Sequence, residues 1–278
     1  MDKNIKLAMI GVVVLVGLFV FCGIAFNQVF RYISYSFYKN TEQYTQGDNA
    51  VKKLEIGKEK NLIGYVRSTD YTQAKKTILF FGGSKEIAYN AVLDYGKVFD
   101  DYAFVSVDYP GSQESKGSMN LQTMQEAALR FYDYIVDLDY IDKDNIYIMG
   151  NSYGTGIATY LASEKGCKKL VLVTPYRDVF DLYNAIIPIF NSPLGWFITD
   201  NINTKEYAQS VTEPTLIITS DSDGTLDRSI SYSLVNYFND ARVTEFQGIK
   251  HAGYLKDEGV VSTIKNFCDN LIFFSEIP

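Results

Sequence analysis

The sequence predicts an α/β protein with a mostly parallel central sheet, helices on both of its faces, and one transmembrane helix in front of it. Three observations predict this class. Short apolar runs rich in β-branched and aromatic residues alternate with longer segments of helical period, the pattern of βαβ units whose strands are covered on both faces. The stretch Gly150-Asn151-Ser152-Tyr153-Gly154 joins one such strand to one such helix through a tight turn flanked by glycines. The N-terminal segment carries an uncharged apolar run about as long as a bilayer core is thick.

That run extends from Leu7 to Phe26, with Ile5 in front of it. Twenty-odd helical residues at about 1.5 Å each span ~30 Å. A secretory leader has a shorter apolar region of about 7–15 residues. Residues 1–30 therefore read as an uncleaved anchor, with cleavage near Gly23-Ile24-Ala25 as the alternative. Phe21, before Cys22, is too large for a lipoprotein signal. Lys3 and Lys6 nearly balance Arg31 and Lys39, and the reading places the N-terminus inside and the bulk of the chain on the extracytoplasmic side of a single-pass protein. Residues 31–50, polar and aromatic without a clean period, read as a linker.

From residue 51 to 278 a single domain is expected. Strands are predicted at Val51–Ile56, Leu62–Arg67, Thr77–Phe81, Ala103–Val107, Asn145–Met149, Leu170–Thr174, Thr215–Ser220 and Arg242–Phe246. Helices are predicted at Glu86–Phe99, Leu121–Leu138, Tyr153–Lys165 and Glu258–Phe274; the second has Leu121, Met124, Ala128, Phe131, Ile135 and Leu138 at helical spacing. Between residues 176 and 212 the alternation breaks. There Ile186-Ile187-Pro188-Ile189-Phe190 and Leu194-Gly195-Trp196-Phe197-Ile198 form an apolar insertion too long for an ordinary loop. It reads either as a helix packed on the core or as a small lid lining an acyl pocket.

Composition removes several function classes. The formal net charge of −7 over 278 residues argues against a nucleic-acid partner and against simple electrostatic attachment to anionic lipid. The three cysteines, Cys22, Cys167 and Cys268, have neither metal-ligand spacing nor a disulfide framework. A dinucleotide fingerprint needs a second glycine where Ser152 stands, and in Gly111-Ser112-Gln113-Glu114-Ser115-Lys116-Gly117-Ser118 the lysine precedes the glycine, which breaks the P-loop spacing.

What remains is nucleophilic chemistry. A serine hydroxyl needs a base within hydrogen-bond reach and a third group to orient that base. On a sheet of this kind the chain order is Ser, then Asp or Glu, then His. Ser152 is the candidate nucleophile, and His251, the single histidine of the chain, follows the last predicted strand. The strand Thr215–Ser220 ends in Asp221-Ser222-Asp223-Gly224, and Asp223 is preferred as the acid, with Asp221 and the remoter Asp178 left open. Oxyanion donors are expected from the backbone N–H of Tyr153, directly after the nucleophile, and from that of Ser84 or Gly83 after the strand Thr77–Phe81.

With Phe80-Phe81-Gly82-Gly83-Ser84, Asp108-Tyr109-Pro110-Gly111, Gly150-Asn151-Ser152-Tyr153-Gly154, Asp223 and His251 in this order, the chain resembles the α/β-hydrolase superfamily over about residues 50 to 275. It looks most like the membrane-anchored, small-lid serine hydrolases of the α/β-hydrolase-domain type. Members usually carry His-Gly where this chain has Gly82-Gly83, and many have a proline near Asp227, after the acid loop, which is absent here. The resemblance implies a serine esterase, lipase or thioesterase with no metal or organic cofactor, acting on a small-molecule acyl or lipid-like substrate. A peptidase or amidase of the same fold, and a non-catalytic membrane-anchored binding module, are the alternatives.

Overall fold

The computed structural model describes residues 2–36, 50–59, 61–184, 190 and 192–269. Eight strands form one sheet: β1 (Val51–Ile56), β2 (Leu62–Arg67), β3 (Lys75–Phe81), β4 (Ala103–Val107), β5 (Ile141–Asn151), β6 (Lys169–Val173), β7 (Thr215–Ser220) and β8 (Ala241–Phe246). Their spatial order is β1-β2-β4-β3-β5-β6-β7-β8. The β1–β2 and β2–β4 pairs are antiparallel and every later pair is parallel. β3 thus has β4 on one side and β5 on the other, so the strand order reverses there. Ligands of open α/β sheets bind at such a reversal, outside the carboxyl ends of the strands.

Side chains alternate across the sheet with a period of two. Leu79, Phe81, Ile146, Ile148, Leu170 and Leu172 enter one core layer; Ile78, Phe80, Tyr147, Met149, Val171 and Val173 enter the other. The first layer is closed by α3 (Leu121–Val136) and α4 (Gly154–Lys165), the second by α2 (Ala88–Val98) and α8 (Glu258–Asp269). α3 starts where it does because Asn120 Oδ1 accepts from the N–H of Thr123 while Thr123 Oγ1 accepts from the N–H of Asn120. β5 begins four residues before its expected start, because Ile141 pairs with Lys75 of β3. The polar Asp142, Lys143 and Asp144 hide that pairing from any apolar pattern. The last part of the expected closing helix, residues 270–274, lies outside the described residues.

The N-terminal helix differs from the boundary expected for the anchor. α1 runs from Lys3 to Ser36, so the first residues of the expected linker are helical; 37–49 lie outside the described residues. The cause is packing against residues 176–212, which hold α5 (Val179–Asn184), α6 (Thr204–Ala208) and a 3-10 turn at Pro193–Phe197. Phe30 is 6% exposed and meets the rings of Tyr183 and Phe190 edge-on at 4.7 and 5.6 Å. Asn27 and Thr199 exchange two hydrogen bonds, Arg31 Nε lies 3.0 Å from Asp200, and the Tyr35 hydroxyl donates to Asp200. A half-exposed ion pair contributes about 0–1 kcal/mol, whereas full burial of a phenylalanine contributes ~1.5–3 kcal/mol. The aromatic contacts therefore carry the attachment, and the polar ones set its register.

One buried acid stands apart. Asp108, at the end of β4, accepts from the N–H of Ala88 at the start of α2, and its second oxygen has no hydrogen-bond partner among the described residues. Burial pushes its carboxyl up to about 7. Because the folded value lies above the unfolded one, this group's stabilising contribution is complete below about pH 4 and is lost as pH rises through about 7. Asp108→Asn, which cannot ionise, removes that loss. The thermal midpoint of the variant relative to the parent is expected to rise between pH 5 and pH 8, by the equivalent of roughly 2–3 kcal/mol. A difference that stays constant with pH would sink the assignment.

Candidate active site

β5 delivers the G-x-S-x-G stretch to the sheet edge, and α4 leaves from it at once. Ser152 sits in the left-handed region with φ 50°, a conformation that a non-glycine residue keeps only where its surroundings impose it. The glycines show what imposes it. A Cβ at Gly150 would lie 2.6 Å from Thr155 Cα, and one at Gly154 would collide with the carbonyl of Phe81. Hydrogen bonds from Ser152 N to the carbonyl of Val173 and from Thr155 N to the carbonyl of Ser152 close the turn.

The structure brings Ser152, His251 and Asp223 together. Ser152 Oγ is 2.9 Å from His251 Nε2, and His251 Nδ1 is 3.0 Å from both carboxylate oxygens of Asp223. The histidine follows β8 in a loop that turns back through the Gly253 N–H to Lys250 carbonyl bond. Asp223 has a fully buried side chain. It also accepts from Thr174 Oγ1 at 2.6 Å, the Tyr254 hydroxyl at 3.0 Å, and the N–H groups of Thr225 and Leu226 at 2.9 and 3.0 Å. Burial by itself raises this carboxyl. The hydrogen bonds from His251, Thr174, Leu226 and Thr225 outweigh burial and hold it well below the usual carboxylate range. It is therefore an anion at any pH near neutrality.

The other acids have different places. Asp221 accepts from the Gly248 N–H at 2.8 Å and from the Ser222 hydroxyl at 2.9 Å, fastening the loop that leads to His251. Asp178 pairs with Lys205 at 2.8 Å. Asp227 caps α7 (Arg228–Leu234), a helix the apolar pattern does not announce, by accepting from the N–H of Ser229.

Three side chains around the site carry no signal in the sequence pattern. Glu86 Oε2 accepts from the Gly83 N–H at 2.6 Å and from Asn151 Nδ2 at 3.0 Å, and Glu86 Oε1 accepts from the Tyr95 hydroxyl at 2.6 Å. One carboxylate thus ties the Gly82-Gly83-Ser84 loop to the residue before Ser152. It also engages the Gly83 N–H, one of the two expected donors on this loop; Gly83 and Ser84 both line the cleft. Thr174, another non-glycine at positive φ, donates its hydroxyl to Asp223 Oδ2, as Tyr254 does.

A cleft of about 210 Å³ opens over Ser152 and His251, with Gly83, Ser84, Glu86 and Lys256 in its walls. Its described walls take nothing from residues 176–212. That segment packs on α4 and α1: the Tyr176 hydroxyl donates to the carbonyl of Tyr153 at 2.9 Å, and Ile202 closes on Gly156. Residues 186–189, part of the expected acyl-pocket lining, lie outside the described residues.

A family model for the α/β hydrolase fold matches residues 80–200. The lysophosphatidylserine lipase ABHD12 of Xenopus tropicalis is 26% identical over 180 residues, which is 57% of this chain and 45% of that protein. Its counterpart in Danio rerio is 28% identical over 142 residues, 44% of this chain and 36% of that one. The chain therefore matches less than half the length of these relatives. Among solved structures, an esterase of Pyrococcus furiosus superposes with a TM-score of 0.64 at 18% identity, covering 82% of this chain and 94% of its own. A membrane phospholipase A described as a bacterial virulence factor superposes at 0.60 and 15% identity, covering 96% and 98%. The sheet order, the elbow at the end of β5 and these matches agree on the α/β-hydrolase fold.

Proposed function

We propose that this chain is a membrane-anchored serine hydrolase that cleaves a carboxylic ester or thioester of an acyl or lipid-like substrate through an acyl-enzyme. The observation that carries the reading is the continuous hydrogen-bonded line Ser152–His251–Asp223 beneath an open cleft. Ser152 Oγ attacks the acyl carbonyl while its proton passes to His251 Nε2. Asp223 accepts from Nδ1–H, holds the ring in that tautomer and stabilises the imidazolium. The backbone N–H groups of Tyr153 and Ser84 stabilise the oxyanion. His251 then gives the proton to the leaving alcohol or thiol, and a water deprotonated by the same nitrogen releases the acid and restores Ser152.

The substrate class is supported by two lines. Sequence relatives are named as lysophosphatidylserine lipases and fold neighbours as esterases and a membrane phospholipase. α1 is long and apolar enough to cross a bilayer, which would hold the domain at a lipid surface. In this reading the protein is single-pass with the cleft on the extracytoplasmic side.

Glu86 enters as a positioning residue. Its charge-assisted bonds to the Gly83 N–H and to Asn151 hold the oxyanion loop against the elbow before substrate arrives.

Full-length protein in detergent is expected to be labelled by a fluorophosphonate and to hydrolyse an ester of some acyl length. Ser152→Ala and His251→Ala should lose labelling and at least about 10⁴-fold in kcat, and Asp223→Asn a comparable factor. A folded parent that resists labelling would overturn the reading. Glu86→Ala should lower kcat by about 10–10² with little change in KM, and Glu86→Gln, which keeps an acceptor, should recover most of it. Equal losses in both variants, tracking a fall in thermal midpoint, would make Glu86 merely structural.

A further inference from the structure

We propose that the turn Pro193–Phe197, with Trp196 at its tip, is seated in the lipid bilayer beside α1, so that the protein meets the membrane through two elements. The proposal rests on α1 spanning the membrane and does not depend on the hydrolytic activity.

The turn packs on the apolar part of α1, not on its polar end. The Phe197 ring meets Phe19 edge-on at 5.5 Å and fills a notch at Gly23, where a Cβ would collide with the ring. Phe19 lies seven residues, or ~10 Å, inside the uncharged run that ends at Phe26. Length then decides where the turn sits. If Phe197 were in water, so would be α1 from Phe19 onward, leaving Ile5–Leu18. That is about 14 residues or ~21 Å, too short for a hydrocarbon core of ~30 Å. With the helix in the bilayer as far as Phe26 the span is ~33 Å, and the turn goes in with it.

Polarity along the two segments changes at one level. On α1, Phe19, Gly23 and Phe26 are followed by Asn27, Arg31 and Tyr35; on the other segment Phe197 and Ile198 are followed by Thr199 and Asp200. Asn27 pairs with Thr199, and Arg31 and Tyr35 both meet Asp200. This polar pairing marks the water side of the boundary. Trp196 lies on the apolar side of it and is 82% exposed, with no charged residue from Pro193 to Ile198. A protein surface in water rarely leaves an indole so bare beside an equally bare apolar helix, whereas the headgroup boundary favours one. The occupant is therefore the acyl chains and glycerol region of lipid.

Trp196 is the single tryptophan of the chain, so native emission reports on this turn alone. Full-length protein is reconstituted in phosphatidylcholine vesicles and in vesicles of the same lipid brominated on its acyl chains. Selectively excited tryptophan is expected to emit at shorter wavelength than free indole in water, to lose the larger part of its emission to the brominated lipid, and to resist aqueous iodide. Emission untouched by brominated lipid and quenched by iodide would place the turn in water and overturn the proposal. Protection from both quenchers would show a protein contact, such as a second copy, and would also overturn it. Fluorophosphonate labelling of the same vesicles reads the hydrolytic reading separately, so failure of one is not mistaken for failure of the other.

Discussion

The contact between Gly154 and the carbonyl of Phe81 constrains the whole site. β3 and β5 lie side by side with Phe81 opposite Gly150, so the two loops leaving them start as neighbours. α4 can begin directly against the end of β3 only because residue 154 has no side chain. That proximity forces the chain through the left-handed conformation at Ser152 and presents the hydroxyl above the sheet edge. It also brings Gly83 close enough to the elbow that a Cβ on it would stand 3.2 Å from that of Ser152. The strain at one serine is thus held by a parallel strand pair, a helix and a glycine loop together.

The acid of the site follows a second logic, in which burial and hydrogen bonding oppose each other. Asp223 and Asp108 are both buried aspartates at the carboxyl end of the sheet. Asp108 receives a hydrogen bond from one backbone N–H and is pushed up; Asp223 receives bonds from two hydroxyls, two N–H groups and an imidazole and is held down. The number of donors decides the charge, because each one offsets part of the desolvation cost that both groups share. A carboxylate kept ionised in this way can stabilise a transient imidazolium, and one left with a single donor cannot serve that role near neutral pH.

α1 is not a helix hung loosely on a finished domain. Phe19, Gly23, Phe26, Asn27, Phe30, Arg31 and Tyr35 repeat at three- and four-residue spacing along one side of α1, and that side is docked on residues 176–212. The same segment reaches α4 through Tyr176 and Ile202. A continuous packed path therefore runs from the apolar helix to the helix that begins at the elbow.

The sequence by itself determined the parts that depend on neighbours along the chain. Apolar runs of strand length marked the central strands β4, β6 and β7 most sharply, because a strand buried on both faces has no polar residues to blur its limits. The two glycines around Ser152 marked the elbow, because its steric demand is local. A lone histidine after the last strand left no other imidazole to pair with Ser152. Only the tertiary structure shows that Asp223, and not Asp221, lies against His251; the two share one loop and differ in where Gly248, Thr174 and His251 come to meet them. It alone showed the Glu86 bridge, the hydroxyls of Thr174 and Tyr254 on Asp223, and the continuation of α1 to Ser36. Each of these joins groups far apart in sequence or turns a side chain in a direction that residue type and spacing do not encode. A polar side chain carries no periodic signal until the fold has chosen its partner.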